Sequence, residues 1–198
     1  MSNSTKTGFR SRVLFATRNM NKFKEAFLIL SKYNIQLDHL PEDKLEIQSD
    51  SLEEIATYAV KELASRYPNR NLLVEDDGLF IEALKGFPGP FSSYVYRTIG
   101  LSGILKLMSG RSDRRAYFKS VVAFVSPELG LKVFTGVVSG VIAEQEKGSQ
   151  GFGYDPIFIP EGSSKTFAEM DIKEKNLYSH RGRAFTKFAE WFRNVMLV

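Results

Sequence analysis

Three polar clusters in this 198-residue chain interrupt otherwise apolar segments, and each has residue types that suit a definite chemistry. The first is Ala16-Thr17-Arg18-Asn19-Met20-Asn21-Lys22, directly after the apolar run that starts at Val13. If a helix starts here, its unsatisfied N–H groups and its dipole both favour an anion, and Lys22 adds a formal positive charge. Thr17 or Asn19 would equally serve as an ordinary helix cap. The second cluster is Glu75-Asp76-Asp77, behind the apolar triplet Leu72–Val74. Three adjacent carboxylates repel one another and need a cation, a basic partner or open water. Because side chains alternate along a strand, Asp76 points away from Glu75 and Asp77. A metal site would therefore use one or two of the three with a further carboxylate, for which Glu46, Glu42 and Asp43 are candidates. The other reading is a solvated acidic turn that ends at Gly78.

The third cluster joins Gly151-Phe-Gly-Tyr-Asp-Pro156 with the segment from Glu169 to Arg181. Glycine lets backbone approach a ligand closely. Phe152 and Tyr154 offer aromatic faces on which a base can stack, and Asp155 can accept from ring N–H groups. Lys175, Ser179, His180 and Arg181 supply donors for anionic or carbonyl oxygen. Taken singly, Lys175 also suits a solvated helix face and His180 a capping position.

Composition removes many alternatives. With no cysteine there is no disulfide framework, thiolate nucleophile, iron–sulfur cluster or Cys-based zinc site. Two histidines, His39 and His180, exclude a multi-histidine metal centre, so a metal would sit on carboxylates, which favours Mg²⁺ or Mn²⁺. A net charge of +4 suits a phosphorylated small molecule and is too dilute for a nucleic-acid coat. No run approaches the roughly 20 apolar residues of a membrane span. The chain therefore reads as soluble and cytoplasmic, with no membrane and no nucleic acid among its partners.

The elements that must position these clusters follow from periodicity. Residues 1–11 read as a loose tail, and 12–198 as a single domain. Val13–Thr17 predicts a buried strand, and Phe23, Ala26, Phe27 and Leu30 predict a helix from Asn21. Ile35–Leu40 predicts a weak strand. Ser51 and Glu54 form a capping box for a helix to Arg66, and Leu72–Val74 predicts a strand. Gly86–Pro90 is turn chemistry, followed by short helices near 92–98 and 100–109. Ala116–Val125 and Lys132–Ala143 read as a β-hairpin, Ile157–Ile159 as a short strand, and 181–196 as a helix. The class is α/β with a mixed sheet.

The ordered motifs ATRNMNKFKEA, EIQSDSLEEIA, VEDDGLFIEALKGFPGPFSS, GFGYDPIFIP, TFAEM and EKNLYSHRGRAF resemble those of the inosine triphosphate pyrophosphatase (Ham1-type) family, from Val13 to about Phe188. The resemblance implies a two-lobed α/β fold around a long mixed β-sheet with flanking helices, the substrate lying in the cleft between the lobes. It also implies a homodimer that hydrolyses ITP, dITP or XTP to the monophosphate and pyrophosphate. By the same resemblance, Thr17, Asn19 and Lys22 bind phosphate, with Arg18 and Asp77 beside the substrate. Glu46 and Asp76 hold Mg²⁺, and Asp76 also accepts the proton of the attacking water. Phe152, Gly153, Tyr154, Asp155, Lys175, His180 and Arg181 receive base and sugar. The sequence departs from the family pattern at Arg18 (usually Gly), Asp77 (usually Ser or Thr) and Ser93 (often Lys). Arg18 removes a glycine from the phosphate loop while adding a cation. Asp77 puts a third carboxylate near a polyphosphate, which costs Coulomb energy unless a cation screens it. A same-fold enzyme for other nucleotides, such as modified pyrimidines, an inactive homologue, or a nucleic-acid-binding module are the rival readings.

Overall fold

Alternating β and α periodicities fold as expected into a mixed sheet flanked by helices, in a computed structural model that describes residues 12–196. The expected tail at 1–11 lies outside the described residues. Strand β1 (Arg12–Ala16) is followed directly by helix α1 (Met20–Ser31), which returns the chain to β2 (Gln36–Leu40), parallel to β1 with Val13 opposite Leu37. Helix α2 (Leu52–Arg66) opens on Ser51, whose side chain accepts from the Glu54 N–H, and buries Leu52, Ile55, Ala59 and Leu63. It leads to β3 (Leu72–Ile81), parallel to β1 on its other side. Next come β4 (Pro88–Gly89), α3 (Ser92–Thr98), α4 (Gly100–Leu107), β5 (Arg115–Ser126) and β6 (Gly130–Ile142). The chain closes with β7 (Phe158–Pro160), α5 (Ile172–Tyr178) and α6 (His180–Met196). The sheet order is β2-β1-β3-β5-β6-β7, with β4 antiparallel to β3.

Contacts divide the chain into two units. Among the described residues, one holds 12–76, Val121–Thr135 and 184–196; the other holds Asp77–Ser120 and Gly136–Arg183. The core of the first is aromatic: Phe15, Phe124, Phe185, Phe188 and Phe192 are essentially fully buried, with Phe15 and Phe185 edge to face at 5.5 Å. In the second unit Phe118, Phe158 and Phe167 pack with Leu79, Ile81 and Ile104. Among the described residues no helix is long and apolar enough to cross a membrane.

Two expectations are corrected. The strand does not stop at Val74 but carries the acidic triplet and continues to Ile81. Gly78 is therefore a buried strand residue, not the end of an acidic turn. A Cβ there would lie 2.4 Å from the Gly89 carbonyl oxygen, so its bareness is what lets β4 close on β3. The second is α5 (Ile172–Tyr178), an element absent from the expected order; it buries Lys175, which removes the alternative of a solvated helix face.

Candidate active site

In the first unit the chain leaves β1 at Thr17 and turns into α1 through three hydrogen bonds. The Asn19 N–H donates to Thr17 Oγ1 at 3.1 Å, and Asn19 Oδ1 accepts from the Asn21 and Lys22 N–H groups at 2.9 and 3.3 Å. Asn19 is thus the helix cap, and the positive end of α1 sits at the polar turn that the sequence singles out. The Lys22 ammonium reaches β3, 2.9 Å from the wholly buried Glu75 carboxylate. Arg18, the residue in place of the usual glycine, is exposed and pairs with Asp43 at 2.8 Å.

The other acids of this unit separate into different tasks. Glu42 accepts from the Tyr67 hydroxyl at 2.6 Å and from Arg66 at 2.7 Å. The Tyr67 bond first, then Arg66, lowers its pKa, so it fastens the 41–50 segment to the end of α2. Of the three candidates for a further carboxylate, Glu46 alone is tied to Asp76. One ammonium, Lys44 Nζ, lies 3.0 Å from Asp76 Oδ1 and 3.1 Å from Glu46 Oε1. No ready-made group of three or more metal-ligating side chains occurs among the described residues. Two carboxylates already sharing one cation are nonetheless a hard-oxygen donor set of the kind Mg²⁺ uses when substrate phosphates complete its shell.

In the second unit the polar residues are buried deeply. Asp155, Lys175, His180 and Arg181 are each 3% exposed or less. Lys175 Nζ donates to Asp155 Oδ2 at 2.6 Å, and the same oxygen accepts from the Phe152 N–H at 2.8 Å. Asp155 therefore closes the 151–155 turn and holds Lys175. Gly151 is required inside that turn, since its φ is +72° and a Cβ would lie 2.0 Å from Asp155 Oδ2. The Phe152 ring has Lys175 Nζ 4.7 Å and Arg181 Cζ 5.4 Å from its centroid, an aromatic face flanked by two cations. His180 stacks on Phe118 at 4.5 Å. Asp77 is the anionic partner here: its Oδ2 lies 3.1 Å from Arg181 Nη2 and 3.5 Å from His180 Nε2. The cation that must screen the third carboxylate is thus Arg181.

Tyr154 corrects the sequence reading. It is not a stacking face: it is buried in the core, edge to face with Tyr96, and its hydroxyl donates to the Ser92 carbonyl at 2.9 Å. Burial raises its pKa and keeps the phenol protonated in that role. Gly153, by contrast, has φ +61° with open space around it, so the backbone conformation alone calls for glycine. Behind the turn, Ser149 and Gln150 both donate backbone N–H groups to the Ala168 carbonyl, which fastens the 148–156 and 166–170 segments together.

Sequence reasoning missed Lys44 and Phe118. Lys44 stands among acids in PEDKLE, where attention to metal ligands passes over the cation. Phe118 lies in an apolar strand with nothing local to connect it to His180.

The first unit can thus hold anionic oxygen and a hard cation, and the second can hold a flat ring with carbonyl acceptors. The Ham1 family model matches residues 13–191, and the chain belongs to the Ham1 family. A dITP/XTP pyrophosphatase of Methanopyrus kandleri is 52% identical over 183 residues, 92% of this chain and 97% of that protein. The dITP/XTP pyrophosphatase of Pyrococcus horikoshii is 51% identical over 182 residues, again 92% and 97% of the two chains. The solved Ham1 protein of Coxiella burnetii superposes with a TM-score of 0.80 at 29% identity, over 92% of this chain and 98% of that one.

Proposed function

We propose that this chain is a nucleoside-triphosphate pyrophosphatase that cleaves dITP, ITP and XTP to the nucleoside monophosphate and pyrophosphate. The observation that carries this is the second unit's set of buried donors around Phe152, in a chain about half identical to dITP/XTP pyrophosphatases along nearly their whole length. Apolar cores seldom keep Lys, His and Arg without a polar task.

In this reading Lys22 and the N-terminus of α1 receive phosphate oxygens. Asp76 takes the proton of a water that attacks the α-phosphorus, and the bond to the β-phosphate oxygen breaks to release pyrophosphate. Glu46 and Asp76 would hold Mg²⁺, with Mn²⁺ as the alternative, which when bound neutralises charge on the polyphosphate. Phe152 stacks on the base, and Lys175, His180 and Arg181 aim N–H groups at its carbonyl oxygens. Hypoxanthine and xanthine carry a 6-oxo acceptor. Adenine presents a 6-amino donor instead, which offers those N–H groups no acceptor at that position. Guanine shares the 6-oxo group, so only its 2-amino group can exclude it. A homodimer working in the cytoplasm completes the proposal.

The test is pyrophosphate release from dITP, ITP, XTP, GTP and ATP, with Mg²⁺ and with EDTA. The first three should exceed ATP in kcat/KM by about 10²-fold or more, within the roughly 10⁴–10⁵ that a site built to hydrogen-bond its substrate can reach. EDTA should abolish turnover. An ATP rate within a few-fold of dITP overturns the assignment of the buried donors to base recognition.

A further inference from the structure

We propose that Lys44 is a tethered counter-cation for Asp76 and Glu46, which a divalent ion must displace in order to bind. The inference rests on the reading of these two acids as metal ligands.

Three oxygens lie close to the ammonium. Lys44 Nζ lies 3.0 Å from Asp76 Oδ1, 3.1 Å from the Glu75 carbonyl oxygen and 3.1 Å from Glu46 Oε1. Asp76 Oδ1 and the Glu75 carbonyl accept hydrogen bonds from it, and the Glu46 carboxylate adds an ion pair. The Lys44 and Asp76 side chains are 16% and 14% exposed, so solvent screens this pair less than an ordinary surface pair. Lys44 comes from the 41–50 segment, two residues before Glu46, while Asp76 is on β3. One charge therefore draws the two acids together from separate parts of the chain.

The same charge opposes a dication. An ammonium and a divalent ion cannot share Asp76 Oδ1 and Glu46 Oε1 without strong mutual repulsion at that range. Breaking the Lys44 contacts is then part of every metal-binding event, and it lowers the affinity for metal. A lysine that merely fastened the 41–50 segment to β3 would act in the opposite direction: its loss would scatter the ligands and weaken binding.

Titration calorimetry of the full chain with MnCl₂ alone separates the two. Lys44→Met should bind Mn²⁺ about five- to tenfold more tightly than the unaltered protein, the scale of one partly buried ion pair and one exposed pair that need not be broken. In EDTA the same variant should melt at a lower temperature, because two carboxylates lose their shared cation, and Mn²⁺ should raise its Tm by more than it raises that of the unaltered chain. Lys44→Gln, which keeps a donor, covers the case in which the methionine variant fails to fold and should also tighten binding. Affinity that is unchanged or weaker in a folded Lys44 variant overturns the proposal. Asp76→Asn distinguishes the two levels: if it binds Mn²⁺ as well as the unaltered protein, the metal reading itself fails. If it loses binding while the Lys44 variants match the unaltered protein, only the role of Lys44 fails.

Discussion

Asp76 and Asp77 are neighbours on β3 with opposite assignments, and single substitutions separate them. Asp76→Asn keeps the shape of the side chain but cannot take a proton, so kcat should fall by about 10²–10⁴-fold. A turnover assay at saturating Mg²⁺ checks this, and a near-normal rate removes Asp76 from the proton transfer. Asp77 holds Arg181 at 3.1 Å, so Asp77→Ser should act on binding. We expect KM for dITP to rise several-fold with kcat little changed, and the preference over ATP to narrow, as steady-state kinetics on both nucleotides will show. The sequence singles out the acids, the donors and Phe152 as candidates, because buried-looking apolar runs around clustered polar residues demand a reason. Their partners could not. That Asp77 meets Arg181, and that Lys44 lies between Asp76 and Glu46, depends on pairings across 104 and 32 positions of sequence that no local pattern encodes.

At the scale of elements, periodicity found every long helix and strand, and the misses have physical causes. Helix α5 has seven residues and turns Lys175 inward, so no amphipathic pattern marks it. The second half of β3 looked like a turn because acids and glycine are poor strand formers. Pairing with β4, Leu79 opposite Gly89 and Phe80 opposite Pro88, overrides that local preference. Ser92 reinforces the junction, its hydroxyl donating to the Gly89 carbonyl and accepting from the Leu79 N–H. Gly78→Ala tests this directly. The new methyl would meet a backbone oxygen that cannot step aside, so the thermal midpoint should drop by several degrees, the effect of about 1–3 kcal/mol of overpacking. An unchanged melting curve would show that β4 yields easily.

For the molecule as a whole, the proposal of a homodimer carries its own check. Sedimentation equilibrium at micromolar concentration should return twice the chain mass, and a monomer there would remove the dimer from the functional reading. The second unit keeps Phe87, Phe91, Tyr94 and Tyr96 each 39–63% exposed within ten residues of sequence. Such a concentration of solvent-facing aromatics is more than singly scattered surface residues provide.

The Asp155–Lys175 pair bears on how this chain can change over generations. Both side chains are almost wholly buried, and losing either partner alone leaves a buried charge without its counter-ion, at a cost of about 3–5 kcal/mol. That is a large share of the roughly 5–15 kcal/mol that keeps a domain folded. Gly151 is bound to the same fate, because any side chain there collides with Asp155. A change at glycine, aspartate or lysine alone therefore costs stability that only a matching change at the others can offset.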